Sequence, residues 1–266
     1  MISPFSMTGL SWALLAMTTA VNASPHGLFR RLAVNFVDCS DERKAKLETA
    51  LADAAALANI AVLDIDTSST AFTHYLREED ADMAKGLWSM VAANNDPTNA
   101  PYTFSVRCGK RCPSGSLAIT DSVPQDGNTP REMLICPYFF KAAETKNNLD
   151  SKKYTADGWC KSGQHFSDFE TAGHTILHEM THLDAVGKSA GLPERDYGNF
   201  KSHGTDDLDS KLDYVAAARD LLKGWVEDPD SFGDDALKPY QNAENIAAAA
   251  TEWWFIKSCK FTEIDL

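Results

Sequence analysis

The sequence has few basic residues and no apolar run long enough to cross a membrane. Its 266 residues carry 25 Lys and Arg against 38 Asp and Glu, so the formal net charge is −13. Because nucleic-acid binding depends on a basic surface, this deficit argues against a nucleic-acid partner. The apolar run at residues 10–17 is much shorter than the about 20 residues of a spanning helix. We therefore expect no membrane partner either.

The sequence also lacks internal repeats and low-complexity linkers. Its hydrophobic content of 44% and its charged content of 24% are ordinary for a globular protein, which excludes disorder as the main state. We expect a single domain over residues 24–266 and a monomeric protein.

The first 23 residues have the pattern of a secretory signal peptide, although Lys and Arg are missing before the apolar run. Residues 10–17 form the apolar segment, and Val21 and Ala23 occupy the −3 and −1 positions of a cut after Ala23. We therefore predict a signal peptide at residues 1–23 and a secreted, extracellular protein.

Six cysteines follow the predicted cut, at Cys39, Cys108, Cys112, Cys136, Cys160 and Cys259. An even number in an exported chain predicts up to three disulfides. A zinc site built from cysteines is disfavoured, because the close pair Cys108 and Cys112 has no second close pair to complete it. The disulfides would tie Cys39 and Cys259 onto the middle of the chain.

Hydrophobic patterning predicts an α+β fold that is mostly helical, with a small mixed sheet in the middle. Helices are predicted at about residues 41–58, 72–93, 168–186, 206–227 and 240–258. Short β-prone runs, separated by Gly, Pro, Asn and Asp, are found at residues 102–106, 117–119 and 133–135. The stretch 121–130 is predicted to be a loop.

The most informative motif is His-Glu-Met-Thr-His at residues 178–182, an HExxH pattern on a predicted helix. Residues four apart lie on one helical face, so His178 and His182 can reach the same zinc ion. Glu179 would lie beside that ion and accept a proton from the water that it activates. The motif predicts one Zn2+ per chain.

A catalytic zinc also needs a third protein ligand and an open position. The extended motif HExxHxxGxxH is excluded, because Ala185 and Lys188 occupy the positions of its glycine and its last ligand. A glutamate ligand from a later helix also finds no good match, since Glu194 lies in a predicted loop and Glu244 lacks the expected following Asp. The remaining segment is Gly-Thr-Asp-Asp at residues 204–207.

HExxH followed by a GTxD segment resembles the deuterolysin-type aspzincins, secreted zinc endopeptidases that include the peptidyl-lysine metalloendopeptidases. The resemblance implies a zincin-like fold that acts on a protein or peptide substrate. It implies that His178, His182 and Asp207 bind the zinc and that Glu179 is the general base. Softer matches are the Asp-Cys-Ser segment at residues 38–40 and the Asn-Ala-Glu segment at residues 242–244.

The sequence departs from the family pattern after the GTxD segment, where Ser210 and Lys211 stand in place of a Tyr-Gly pair. The family tyrosine is implied to stabilise the oxyanion, and Tyr214, one predicted helical turn later, is its candidate replacement. Asp206 and Asp209 remain alternative third ligands, because acidic residues crowd this segment.

Two functions therefore stay open, a secreted zinc endopeptidase and a secreted zinc-binding or zinc-scavenging protein with little or no proteolytic activity. Glu179 favours the enzyme, because a scavenger needs ligands but no base. The missing Tyr-Gly pair favours the alternative. His174, one turn before His178, could also face the metal, but a position behind the ligands or at the surface is favoured, because successive histidines curve away from the shared face.

Overall fold

The computed structural model describes most of the chain after the first 33 residues, namely residues 34–94, 100–121, 132–151, 158–161, 163–198, 200–208 and 213–266. The predicted signal peptide, nearly all of the predicted loop at 121–130 and the alternative ligand Asp209 lie outside the described residues. None of the described helices is long and apolar enough to cross a membrane.

The fold is mixed α+β, as predicted. Its helices are α1 Asp41–Asp64, α2 Thr70–Thr73, α3 Ala81–Ala93, α4 Ala172–Thr181, α5 Asp184–Ala190, α6 Tyr214–Glu227 and α7 Ala243–Cys259. Its strands are β1 Val34–Val37, β2 Phe104–Cys108, β3 Ala118–Asp121, β4 Glu132–Ile135, β5 Arg195–Asp196 and β6 Lys201–Ser202. Single 3₁₀ turns cover Glu78–Asp80, Phe166–Asp168, Pro229–Ser231 and Pro239–Gln241.

The main sheet has the strand order β1-β2-β4-β3 and mixes both strand directions. Strands β1, β2 and β4 are parallel to one another, whereas β3 runs antiparallel to β4 with Ile119 opposite Leu134. Strand β3 is consequently an edge strand, and it lies beside α4. Strands β5 and β6 form a separate short hairpin.

The core is built where α1, α4 and α7 pack on one another. Helix α1 begins at the cap Ser40, whose side chain accepts a hydrogen bond from the Arg43 amide, and its buried face is rich in alanine. Gly173 of α4 packs against α1 so closely that a Cβ there would overlap with Asp53. Helix α7 is buried over most of its length, which explains its apolar run at residues 246–250.

Three predicted helices are interrupted, divided or shortened in the structure, whereas the one predicted at 41–58 continues to Asp64. The helix predicted at 72–93 is interrupted, because the Asp80 carboxylate accepts hydrogen bonds from the Arg77 amide and guanidinium and forms a local turn. The helix predicted at 168–186 divides into α4 and α5, since Leu183 has extended backbone angles. The helix predicted at 206–227 begins only at Tyr214, and β1 was not predicted at all.

Three disulfides are present, as the cysteine count predicts. They join Cys39 to Cys108, Cys112 to Cys136 and Cys160 to Cys259. The first and the third tie the two outermost cysteines onto the middle of the chain. The third also joins the end of α7 to the segment that precedes α4, and these two helices carry most of the candidate site.

Candidate metal centre

The HExxH motif lies on α4 and continues to its C-cap residue, His182. Ile176, Leu177 and Met180 bury one side of α4 in the core, so His178 and His182 lie on the side that faces a cleft. Their ring centroids are 5.0 Å apart, with the planes 80° from parallel. The helical spacing thus brings the two imidazoles together as predicted.

Asp207 lies against both imidazoles. Its Oδ1 atom is 3.0 Å from His178 Nε2 and 3.4 Å from His182 Nε2. Bonds of about 2.0–2.1 Å at tetrahedral angles would place the donor atoms of a zinc site about 3.3 Å apart. The two distances from Asp207 match this spacing, and two nitrogens with one carboxylate oxygen are a donor set that suits a divalent metal. The donor atoms of all three residues lie within 4.8 Å of one another, so they form a group that could hold a metal ion.

The Gly-Thr-Asp-Asp segment is held in place by the ends of two helices. Gly204 passes so close to the end of α4 that a Cβ there would overlap with the His182 carbonyl. The Thr205 amide donates to the Thr181 carbonyl at 3.0 Å, and the two threonine hydroxyls are 2.7 Å apart. Asp206 hydrogen-bonds through its backbone to the residues around the start of α7. These contacts explain why Gly and Thr precede the aspartate in this segment.

The Nδ1 atoms of both histidines point away from Asp207 and have acceptors of their own. His178 Nδ1 donates to Glu244 Oε2 at 2.9 Å, and His182 Nδ1 donates to the Thr205 carbonyl at 2.9 Å. A neutral imidazole with its proton on Nδ1 has its lone pair on Nε2. In the neutral form of each ring, these Nδ1 contacts therefore favour the tautomer in which Nε2 can bind a metal.

Without a metal ion, the histidines and the aspartate at the centre shift one another's pKa values. Burial lowers the pKa of His178, but hydrogen bonds to Asp207 and Glu244 raise it more, so the net pKa is well above its ordinary value. Burial likewise raises the pKa of Asp207, but both histidines lower it further, and its net pKa falls. The pKa of His182 is raised in the same way by Asp207, against the effect of burial. The site therefore attracts positive charge.

His178, His182 and Asp207 are called the metal group below. Glu179 is buried beside them, and one of its carboxylate oxygens has a defined partner. The Thr120 hydroxyl of β3 donates to Glu179 Oε2 at 2.6 Å. This contact joins the edge strand to the HExxH helix and fixes the orientation of the carboxylate. Thr120 was not singled out from the sequence, because a lone threonine just after the predicted β-prone run 117–119 gives no signal of this role.

The metal group lies in a cleft of about 780 Å³. One wall is formed by residues of β3 and the preceding turn, including Ile119. The β5–β6 hairpin lines the cleft with Tyr197 and Phe200, whose rings stack at a centroid distance of 4.9 Å. Tyr214, half exposed at the start of α6, also lines it. The cleft is large enough to admit a peptide segment to the metal group.

The remaining candidate residues occupy other positions. The Asp206 side chain faces Arg195 at 3.5 Å rather than the histidines. His174 is buried behind His178 and contacts Glu244 and Thr251. His203 is paired with Asp184 at 2.9 Å. Glu244, which did not fit the motif of a glutamate ligand, is instead a hydrogen-bond partner of His178. The Asn-Ala-Glu segment was its only signal.

Taken together, the fold and this site define an α+β protein with a His-His-Asp group that could hold a metal ion at the base of an open cleft. No known family model matches the chain, and no curated protein matches it. The resemblance to the aspzincins consequently depends on the HExxH and GTxD segments of the sequence alone.

Proposed function

We propose that this protein is a secreted zinc endopeptidase of the aspzincin type, with a zincin-like fold. The observation that carries the proposal is the convergence of His178, His182 and Asp207 beside the buried carboxylate of Glu179. A group that only stored metal would need the three ligands but not this additional carboxylate. The three disulfides support export, since such bonds persist in oxidising compartments.

His178, His182 and Asp207 would hold the zinc, which supplies Lewis-acid polarisation of a peptide carbonyl and lowers the pKa of water to about 7. Glu179 would accept the proton of the attacking water and later pass it to the leaving amine. The hydrogen bond from Thr120 would keep the carboxylate oriented for both transfers.

The substrate would bind as an extended strand along β3. This strand is at the edge of the sheet, lines the cleft and carries Thr120, so a peptide paired with it would pass close to Glu179. Addition of a peptide to a sheet edge uses main-chain hydrogen bonds and therefore accepts many sequences. Tyr214 is the candidate that stabilises the oxyanion, because it lines the same cleft and carries a phenol.

The test uses purified mature protein, with zinc content and casein digestion as its two measurements. We expect about one zinc per chain and digestion that a chelator abolishes. Glu179→Gln should abolish digestion and retain zinc, because it removes the base and keeps the ligands. Glu194→Gln is the matched control, since this glutamate is half exposed and pairs with Lys201 away from the ligands. Zinc binding without any digestion by the unmodified protein would favour the zinc-scavenging alternative instead.

A further inference from the structure

We propose that Glu244 and His174 are positioning residues for the metal ligand His178. In this arrangement Glu244 holds the ligand imidazole, and His174 holds the carboxylate of Glu244. The inference depends on the metal centre of the proposed function, but it does not depend on proteolysis.

Glu244 uses its two carboxylate oxygens on two histidines of the same helix. Oε2 accepts from His178 Nδ1 at 2.9 Å, and Oε1 accepts from His174 Nε2 at 3.1 Å. His174 and His178 are four residues apart on α4, so a single carboxylate from α7 can contact both rings. This contact lies where α4 and α7 pack together.

The position of His174 is fixed from two further sides. Its Nδ1 atom lies 2.9 Å from the Thr251 hydroxyl, one further contact between α4 and α7. The ring of Phe166 meets it edge to face at a centroid distance of 5.8 Å. Because His174 is held in this way, it gives Glu244 Oε1 a stationary partner and leaves Oε2 directed at His178.

Burial makes this chain of contacts difficult to replace with water. Glu244 and His174 are each 5% exposed, and Thr251 is fully buried. A buried carboxylate must be hydrogen-bonded, and the described partners of its side chain are these two imidazoles. Glu244 also lies in the first turn of α7, where the helix dipole favours a negative charge.

The consequence for His178 is both geometric and electronic. A carboxylate on Nδ1 fixes the ring orientation, keeps the proton on Nδ1 and makes Nε2 a stronger donor to a metal. At the same position, His182 Nδ1 contacts only uncharged atoms of Thr205, the carbonyl at 2.9 Å and the hydroxyl at 3.4 Å, among the described residues, so the two histidines have different outer partners. Loss of such an outer partner typically lowers metal affinity by about 10–100-fold.

The experiment measures the zinc dissociation constant of the full mature protein by competition with a chromophoric chelator. We expect Glu244→Gln to bind zinc about 10–100-fold more weakly. His174→Phe should weaken binding in the same direction, whereas His174→Gln keeps an N–H donor for Glu244 and should restore affinity toward that of the unmodified protein. In the Glu244→Gln background His174→Phe should have no further effect, because it acts through Glu244.

Glu252→Gln is the matched control. Glu252 is a fully buried carboxylate on the same helix, and it also contacts a histidine, His74, at 2.8 Å. Its other partners are Tyr75 and Arg219, away from the metal group. We expect this variant to lose stability and keep its zinc affinity, which separates positioning from general damage to α7.

Cobalt substitution gives a second readout, since the visible spectrum of bound Co2+ reports ligand geometry. The spectrum should change in Glu244→Gln and in His174→Phe but not in Glu252→Gln. Unchanged zinc affinity and an unchanged cobalt spectrum in a folded His174→Phe or Glu244→Gln protein would overturn the positioning role. Failure of the unmodified protein to bind zinc would instead overturn the metal centre itself.

Discussion

At the scale of single residues, the structure assigns different partners to neighbouring aspartates. Asp207 contacts both histidines, whereas the side chain of Asp206 pairs with Arg195. Asp207 is therefore the candidate third ligand, a choice between adjacent aspartates that the acidic sequence alone left open.

We predict that Asp207→Ala lowers zinc affinity by more than the about 10–100-fold that is typical of outer partners. Asp206→Ala should change it only a few-fold, because the backbone groups of residue 206 that hold the segment are retained. Chelator competition on both variants, with Asp209→Ala as a third arm, measures this directly. If all three variants bound zinc as tightly as the unmodified protein, none of these aspartates would be a ligand.

Glu170 lines the cleft and is partly buried. Burial is the main reason that its pKa rises to about 7; His174 opposes the rise, and Glu244, Glu144 and Asp213 add to it. Since its pKa is higher in the folded than in the unfolded chain, the folded chain binds more protons between about pH 4.5 and 7. The contribution of Glu170 to the free energy of unfolding therefore falls as the pH rises through that range.

We predict that Glu170→Gln, which imitates the protonated form, stabilises the protein at pH 8 by about 1–3 kcal/mol. At pH 4 the free energy of unfolding should be nearly unchanged, because the glutamate is then protonated in both states. Urea unfolding at the two pH values provides the measurement, with the half-exposed Glu194→Gln as control. An equal gain at both pH values would contradict the assignment to ionisation.

At the scale of structural elements, the metal group depends on a junction of three pieces, the end of α4, the Gly-Thr-Asp-Asp segment and the start of α7. Backbone hydrogen bonds join this segment to Thr181 of α4 on one side and to Gln241 and Ala243, around the start of α7, on the other. Gly204 packs directly on the end of α4, and a Cβ there would overlap with the His182 carbonyl.

We predict that Gly204→Ala destabilises the fold by about 1–3 kcal/mol and also weakens zinc binding, because the backbone must move away from His182 and carries Asp207 with it. Gly233→Ala is the control, since a Cβ at that position would meet no atom within 4 Å. Thermal unfolding and zinc titration of both variants test this. Wild-type stability and affinity in Gly204→Ala would show that the junction tolerates movement.

Sequence patterns predicted the parts of this junction that depend on local geometry. The four-residue spacing of His178 and His182 places both on one face of α4 whatever the rest of the fold does. The break before α5 and the late start of α6 were not predictable in this way. Both depend on contacts with distant segments, such as the hydrogen bonds between Asp206 and the start of α7.

The roles of Thr120 and Glu244 escaped prediction for the same reason. Thr120 is defined by one hydrogen bond to α4 across 59 residues of sequence, and Glu244 by two, across 66 and 70 residues. The α+β class was predictable because amphipathic patterns and β-prone runs are local properties. Strand β1 was not predicted, and neither were β5 and β6, which have only two residues each.

At the scale of the whole molecule, the candidate site joins segments that are far apart in the sequence, and the disulfides hold those segments together. Cys160–Cys259 links residues 99 apart, at the end of α7 and ahead of α4. Cys112–Cys136 links residues only 24 apart, next to the sheet. A cross-link that closes a longer loop removes more conformational entropy from the unfolded chain.

We predict that Cys160→Ala with Cys259→Ala lowers the free energy of unfolding by about 2–5 kcal/mol. Cys112→Ala with Cys136→Ala should cost about 1 kcal/mol less, because loop-closure entropy varies with the logarithm of loop length. Only the Cys160→Ala and Cys259→Ala double variant should also weaken zinc binding. Its disulfide holds α7, which carries Glu244 and contacts α4, the helix of the HExxH motif. Urea unfolding and zinc titration of both double variants measure the two effects. If the shorter loop proved the more costly to open, local packing around the buried Cys136 rather than chain entropy would govern the stabilisation.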